Sequence, residues 1–126
     1  HFVYLWVGTP SHRISVIVDT GSHHTAFPCK GCNNCGIHTD KYWDPKQSST
    51  SFIPLCGSSN TLCKFSQSYT EGSSWEAYKV TDIAWIGGEK IDMLDKLPKY
   101  SVNFTFGCQT SETGLFRTQV ENGIMG

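Results

Sequence analysis

Hydrophobic residues in this chain occur in short runs separated by turn-forming residues, which is typical of β-strands rather than of long helices. The first run, Phe2 to Val7, is rich in aromatic and aliphatic side chains and ends at Gly8-Thr9-Pro10. The second run covers Arg13 to Val18. Because a turn separates the two runs, the pattern predicts a β-hairpin at the start of the chain.

A second pair of strands is predicted between Lys64 and Ile86, where aromatic and β-branched residues flank a turn at Tyr69 to Ser74. These strands would form a projecting hairpin that Gly87-Gly88 closes. Residues 91–97 are expected to form a short helical turn or a loop before Pro98. The segment from Cys29 to Cys63 has a different character, because it combines five of the six cysteines with many polar and turn-forming residues. It is expected to be an irregular insertion held by disulfides.

Composition favours an all-β fold. The 126 residues can bury one core, so residues 1–126 are expected to be one domain or part of one. Charged residues make up only 17% of the chain, which favours short strands over charged helices. The net charge of −1 provides neither a basic stripe for nucleic acid nor a polybasic face for a membrane, so neither partner is expected for this segment.

Two features indicate a secretory route. An even number of cysteines in a short chain is typical of an oxidising compartment. Asn103-Phe104-Thr105 is an N-glycosylation sequon. It lies in an alternating run, Ser101 to Gly107, that predicts a strand with Val102 and its apolar neighbours on one face and Asn103 on the solvent side. We therefore expect a glycoprotein that is secreted or resides in the endomembrane lumen.

One carboxylate stands out from the hydrophobic pattern. The β-branched run Val16-Ile17-Val18 leads directly into Asp19-Thr20-Gly21-Ser22. Asp is rare in strands and costly to bury without a partner. Its position is explained equally well by an Asx-turn, in which Asp19 accepts from an amide two residues on, and by a chemical role.

Several motifs occur together in a characteristic order. Val18-Asp19-Thr20-Gly21-Ser22 is followed by Tyr69 with Gly72-Ser73 at a hairpin tip, then by Phe106-Gly107-Cys108, and finally by Gly123-Ile124-Met125-Gly126. This order resembles the N-terminal lobe of pepsin-like aspartic proteases over nearly the whole chain. The cysteine cluster that follows the first motif is similar to the nepenthesin-type and plasmepsin V-like branch. The resemblance implies an all-β, pepsin-like acid protease lobe, present in part, with short helical turns and a disulfide-held insertion.

The resemblance also assigns roles to residues. Asp19 is implied to be one of two catalytic carboxylates that share a proton and activate water for peptide hydrolysis. Gly21 lets the turn bring amide groups to that carboxylate, Ser22 resembles the residue that hydrogen-bonds its outer oxygen, and Thr20 resembles the residue that braces the two lobes. A mobile flap is implied to cover the substrate. Its residues are Tyr69, Thr70, Glu71, Gly72 and Ser73.

The sequence departs from the family pattern at three positions. Pepsins carry a Trp seven residues after the catalytic Asp, and its indole binds the flap tyrosine; here that position is Ala26. Trp43 and Trp75 are the two candidates to replace it. Thr70 stands where many members have Gly, and Asn122 stands where Asp is common.

The cysteine spacing has a rival interpretation as a metal site. Cys29, Cys32, Cys35 and His38 are spaced as a tetrahedral zinc site could require. The family context favours disulfides instead, and neither a metal nor a cofactor is implied. Cys108 lies alone on a distant strand, and Cys29 is one candidate partner for it. The disulfide candidates are thus Cys29, Cys32, Cys35, Cys56, Cys63 and Cys108.

The expected partners follow from the protease resemblance. They are a peptide or protein substrate and a C-terminal lobe of the same chain, because no other Asp here is followed by Thr-Gly or Ser-Gly. Residues 1–126 are therefore expected to be an incomplete lobe that is inactive alone. Two alternatives stay open: a noncatalytic, xylanase-inhibitor-like binding protein on the same fold, and a retropepsin-like homodimer, which the long insertion disfavours.

Overall fold

The structure is a computed structural model that describes all residues from His1 to Gly126. It contains nine strands, a one-turn helix and two short 3-10 turns at residues 45–47 and 94–96. No helix has the length and apolar character needed to cross a lipid bilayer. The strands and the helix are β1 (Phe2–Val7), β2 (His12–Val18), β3 (Ala26–Asn33), β4 (Leu55–Cys56), β5 (Thr61–Leu62), β6 (Lys64–Ser68), β7 (Ser74–Ile86), β8 (Val102–Glu112), α1 (Leu115–Thr118) and β9 (Gly123–Met125).

Seven strands form one sheet in the order β1-β2-β9-β3-β8-β7-β6. An additional antiparallel pairing joins β1 to β7, from Leu5–Ile86 to Val7–Ala84, so that the sheet closes on itself. The short strand β9 lies between β2, to which it is parallel, and β3. This arrangement places the last residues of the chain next to the end of β2. The fold is therefore the all-β class predicted from the sequence.

The core consists of two hydrophobic clusters. The larger lies inside the closed sheet, where Phe27 stacks on Phe106 with 4.6 Å between ring centroids and Trp43 packs edge-on against Phe106. The smaller cluster contains Ala26, Trp75, Ala77, Phe116 and Ile124 and lies beneath the flap hairpin. Burying large aromatic side chains supplies much of the free energy that stabilises such a fold.

Most of the predicted elements are present. The first hairpin, the flap hairpin β6–β7 and the short helical turn within residues 91–97 are all confirmed. The predicted strand at 101–107 extends to Glu112, because β8 pairs with both β7 and β3. Asn103 is exposed, as expected, but Val102 is 56% exposed rather than facing a buried core. Val102 is the first residue of β8 and pairs with Ala84 at the end of the β7–β8 register.

The cysteine-rich segment begins with regular structure rather than with a loop. Strand β3 runs through Cys29 and Cys32 as far as Asn33, and the irregular insertion follows it. Three disulfides join Cys29 to Cys108, Cys32 to Cys35, and Cys56 to Cys63. The suggested Cys29–Cys108 pairing is therefore present. Cys29, Cys32 and Cys35 are all in disulfides, so they provide no thiolates for the alternative zinc site.

Buried polar contacts fix the insertion to the sheet. Asp82 of β7 is almost fully buried, and its carboxylate accepts hydrogen bonds from Ser48 Oγ and Thr50 Oγ1, both at 2.6 Å. Asn122, also fully buried, donates from Nδ2 to the Asp40 carbonyl at 2.9 Å, and its Oδ1 accepts from Asp40 N at 2.9 Å. Since buried polar groups are costly without partners, these bonds specify where the insertion docks.

Removal of the individual disulfides is expected to lower the stability of the fold by different amounts. Cys29–Cys108 closes a separation of 79 residues and Cys56–Cys63 one of 7 residues. By the loop-entropy relation, losing the first should cost about 4.5 kcal/mol and losing the second about 2.3 kcal/mol. We expect the double variant Cys29→Ala/Cys108→Ala to lose more free energy of unfolding than Cys56→Ala/Cys63→Ala, measured by denaturant titration of the full-length gene product. Equal losses would show that the longer link does not constrain the unfolded chain.

Candidate active site

Strand β2 delivers Asp19 to a turn that β9 holds in place. Asp19 N donates to the Met125 carbonyl at 2.9 Å, and Gly126 N donates to the His24 carbonyl at 3.1 Å. Within the turn, Gly21 N donates to Asp19 Oδ1 at 2.9 Å. The carboxylate is thus oriented by an amide two residues on, and both explanations of Asp19 drawn from the sequence include that bond. Asp19 is half-buried, so one side of its carboxylate remains accessible.

Glycine is required where β9 approaches the turn. A Cβ atom on Gly126 would lie 2.6 Å from the Ser22 carbonyl oxygen, and one on Gly123 would collide with the Ala26 carbonyl oxygen. Neither neighbour can move without shifting the backbone of the sheet. The two glycines therefore allow β9 to lie close enough to bond the backbone of Asp19.

The other residues of the turn differ in their exposure to solvent. Thr20 and Gly21 are exposed, whereas Ser22 is buried. The structure does not contain the hydrogen bond expected between Ser22 and Asp19, and Ser22 Oγ has no hydrogen-bond partner. Ser22 lies near the Tyr69 hydroxyl, and this proximity lowers the pKa of Tyr69 although the two groups do not form a hydrogen bond of good geometry.

The flap is a tight hairpin tip whose residues bond one another. Tyr69 N donates to the Ser73 carbonyl and Gly72 N donates to the Tyr69 carbonyl, both at 2.9 Å. Gly72 has a φ of 101°, which an L side chain rarely adopts. The Glu71 carboxylate accepts from Ser73 N at 3.1 Å and from Ser73 Oγ at 2.8 Å. Thr70, Glu71 and Gly72 are exposed at the tip, and Ser73 is buried at its base.

Trp75 replaces the tryptophan that the sequence lacks at position 26. Its Nε1 donates to Tyr69 Oη at 3.3 Å, whereas Trp43 Nε1 donates to the Val7 carbonyl. Of the two candidates, therefore, Trp75 contacts the flap tyrosine. Burial raises the pKa of Tyr69 above its usual value; the Trp75 and Ser22 contacts oppose this effect, and the Asp19 carboxylate reinforces it.

Sequence reasoning missed the support beneath the flap. Phe116 of α1 is buried with its ring centroid 5.1 Å from that of Tyr69. Leu115 N donates to Ser73 Oγ at 2.9 Å, so the same helix also contacts the flap base. The signal in the sequence is the Gly114-Leu115-Phe116 run, which is too short to be read as a helix from its periodicity.

A small cavity lies between the segment that follows the Asp19 turn and strands β6, β7 and β8. It has a volume of about 230 Å³, and its lining includes His23, His24, Phe65, Lys79 and Gly126. Asp19 and Tyr69 do not line this cavity, but they lie close enough to each other for the Asp19 charge to act on the Tyr69 hydroxyl. This arrangement can supply one half of an acid–base pair to a bound peptide.

The closed sheet, the Asp-Thr-Gly-Ser turn and the flap define the N-terminal lobe of a pepsin-like aspartic protease. Comparison with protein families agrees: the family model described as "Xylanase inhibitor N-terminal" matches residues 1–126. The chain belongs to this family, which is the pepsin-like N-terminal lobe family.

Several proteins with established names are similar to the whole chain or most of it. Plasmepsin V of Plasmodium falciparum is 36% identical, with the alignment covering 100% of this chain and 22% of the relative. Aspartic protease 5 of Toxoplasma gondii is also 36% identical, over 100% of this chain and 15% of its own length. Aspartic proteinase nepenthesin-1 of Nepenthes gracilis is 29% identical, over 90% and 26%. The chain thus spans about a quarter or less of these curated relatives, which are aspartic proteases.

The Trp75–Tyr69 contact predicts a change in flap opening. Trp75→Phe retains an aromatic ring but removes the donor, which should cost about 0.5–1.5 kcal/mol. We expect the Tyr69 amide to exchange its hydrogen up to about tenfold faster in the full-length gene product, measured by hydrogen exchange with mass spectrometry over residues 65–75. Trp85→Phe is the matched control, because Trp85 is equally buried and its Nε1 has no partner. Equal exchange in both variants would show that the bond does not hold the flap.

Proposed function

We propose that residues 1–126 form the N-terminal lobe of an aspartic endopeptidase in which Asp19 is one of two catalytic carboxylates. The observation that carries this proposal is the oriented, half-accessible Asp19 carboxylate beneath the Tyr69 flap. The second carboxylate would come from a C-terminal lobe of the same chain. The relatives are all longer than this chain and carry protease names, which supports that arrangement.

The proposed chemistry is hydrolysis of a peptide bond by a shared-proton carboxylate pair. One carboxylate takes a proton from water while the other carboxyl group donates a proton to the peptide carbonyl oxygen. Two like charges placed close together cannot both ionise easily, so one proton is shared between them. The Gly21 amide orients Asp19 for this work, and Thr20 is exposed and free to contact the second lobe. Ser22 completes the supporting turn.

The flap is proposed to bind and enclose a peptide or protein substrate. Its tip, Thr70 to Gly72, is exposed, and the Glu71 carboxylate bonds back to Ser73. Tyr69 is held from below by Trp75 and Phe116. A hairpin of this kind can close over substrate and exclude water. The proposed reaction requires no metal or cofactor.

A second candidate function is a noncatalytic binding protein. The description of the matching family, Xylanase inhibitor N-terminal, favours this possibility. The retained Asp-Thr-Gly-Ser turn and the flap contacts favour the protease instead. In the inhibitor-like case, the protein would bind a polysaccharide hydrolase and would not cleave peptides.

We also propose that the protein matures in the secretory pathway, either secreted or retained in the endomembrane lumen. All six cysteines are paired in disulfides, which form in oxidising compartments. Asn103 lies exposed on β8 within its sequon, so a glycan attached there would point into solvent.

Asp19→Asn in the full-length gene product tests the catalytic proposal. Asparagine retains the shape of the side chain but cannot take up a proton, so kcat/KM for peptide cleavage should fall by about 10²- to 10⁴-fold. Asp92→Asn is the control, because Asp92 is exposed and pairs only with Lys90 at 3.5 Å. Residues 1–126 alone should not cleave the peptide.

The same measurements separate the candidate functions. Unchanged cleavage by the Asp19→Asn protein would reject Asp19 as a catalytic residue. A folded wild-type protein that cleaves no peptide but inhibits a xylanase would establish the inhibitor-like alternative. Activity of residues 1–126 that sediments as a dimer would establish the retropepsin-like arrangement.

Glycosylation of Asn103 is tested by expression through a eukaryotic secretory pathway. We expect an endoglycosidase to reduce the apparent mass of the wild-type protein by about one glycan. The Asn103→Gln and Thr105→Ala variants should lack this shift, and Thr105→Ser should retain it because the sequon stays intact. A wild-type protein that enters the pathway without any shift would contradict the assignment.

A further inference from the structure

The spacing of His38 from the cysteines made it a candidate metal ligand, but the structure places it in a buried cluster that includes neither Asp19 nor Tyr69. The side chains of His38 and Glu112 are both fully buried. His38 Nδ1 lies 2.9 Å from the Gln119 carbonyl oxygen, and Nε2 lies 2.5 Å from the Cys35 carbonyl oxygen and 3.4 Å from Glu112 Oε1. Both ring nitrogens therefore face only oxygen acceptors.

This geometry requires a charged imidazolium. A neutral imidazole has one N–H donor and one acceptor nitrogen, so it would leave one nitrogen facing a carbonyl oxygen without a proton. A protonated His38 donates from both nitrogens, and the Glu112 carboxylate supplies the opposite charge. Since a buried charge without a partner is very unfavourable, each member of this pair depends on the other.

The pair lies where the insertion meets the segment that supports the flap. Glu112 ends β8, two residues before Gly114, which precedes α1, and Gln119 follows α1, so His38 contacts the segment at both ends. Gly36 packs so closely on the Arg117 carbonyl that a Cβ atom there would not fit. Thr39 N continues the contact by donating to the Val120 carbonyl at 2.9 Å.

The segment clamped in this way reaches the proposed catalytic machinery by two contacts already described. Phe116 packs on the Tyr69 ring, and Leu115 N bonds Ser73 Oγ at the base of the flap. We propose that His38 and Glu112 are positioning residues: their charged pair holds the 112–119 segment so that Phe116 supports Tyr69 in its working position. This inference rests on the proposed protease function for its effect on catalysis, although not for its effect on structure.

The charge states set a pH window for the pair. Burial lowers the pKa of His38, but its bonds to Glu112, Gln119 and Cys35 outweigh burial, so the pKa lies above the usual 6.5. Burial raises the pKa of Glu112, and His38 and Arg117 only partly oppose it. The other ionisable neighbour is Tyr42, whose ring centroid is 6.4 Å from that of His38. The pair is charged where Glu112 is ionised and His38 is still protonated.

The sign of the pH effect follows from His38. A group whose pKa is raised on folding stabilises the protein fully below its unfolded pKa, and this contribution is lost as the pH rises through the folded pKa. Support for the flap should therefore weaken as the pH rises above about 6.5 through the raised pKa of His38. For Glu112, the raised pKa means that ionisation of the buried carboxylate costs stability, and the His38 charge offsets only part of that cost.

The test uses the full-length gene product with His38→Gln and Glu112→Gln, and His12→Gln as the matched histidine control. At pH 6.5 we expect His38→Gln to lower kcat by about tenfold with KM changed less than about twofold, because the flap tyrosine is displaced while the Asp19 turn remains. The deficit should shrink as the pH rises and the wild-type pair loses its proton. Glu112→Gln should move the basic limb of the wild-type kcat/KM profile to lower pH.

Two readouts do not depend on activity. In protein labelled at histidine Cε1, the NMR signal of His38 is identified by its absence from His38→Gln. This signal should titrate with a midpoint above a pH of about 6.5, and Glu112→Gln should lower that midpoint. Hydrogen exchange should be faster over residues 112–119 and 68–75 in His38→Gln, but unchanged in His12→Gln. A midpoint at or below 6.5, or unchanged exchange, would overturn the inference even if no peptide is cleaved.

The wild-type protein provides the test if a variant fails to fold. Raising the pH through the His38 midpoint should accelerate exchange over residues 112–119 before the rest of the sheet is affected. Exchange that stays constant across that titration would overturn the proposal. Faster exchange of this segment with kcat unchanged would overturn the positioning role and reduce the pair to a purely structural one.

Discussion

The proposed active site depends on the insertion of β9 between β2 and β3. This strand has only three residues, yet it carries the carbonyl that binds the Asp19 amide and precedes the glycine whose amide binds His24. The close approach is possible because Gly123 and Gly126 lack side chains. Asp19 therefore owes its position to residues more than a hundred positions away in the chain, which the closed sheet brings to the same edge.

The Cys-rich insertion also fixes the position of β9. Asn122 directly precedes β9, and its amide group both donates to and accepts from the backbone of Asp40, while Oδ1 also accepts from Ser15 Oγ at 3.0 Å. A carboxylate at this position could accept but could not donate. The insertion thus explains why Asn122 stands where Asp is common in the family. The Asp40 carbonyl oxygen needs a hydrogen-bond donor, which the Asn side chain has and a carboxylate lacks.

The sequence predicted local structure well and long-range structure less well. The alternation of apolar residues located the hairpins, and the ordered motifs around Asp19 and Tyr69 identified the lobe. Strand β3 was obscured because Pro28, Gly31 and two cysteines interrupt its pattern, and its pairing with β8 overrides those weak local preferences. The His38–Glu112 contact joins residues 74 positions apart, so no local pattern could indicate it.

The flap shows how one physical requirement can be met from a different part of the chain. A half-buried tyrosine hydroxyl needs a partner, and an indole N–H is a donor that can be placed without adding charge. With Ala26 on β3, the donor comes instead from Trp75 on β7, on the strand that follows the flap tip. The donor therefore belongs to the same hairpin as Tyr69, so the tyrosine and its partner can move together when the flap opens. Support from outside the hairpin then falls to Phe116, whose helix the insertion holds.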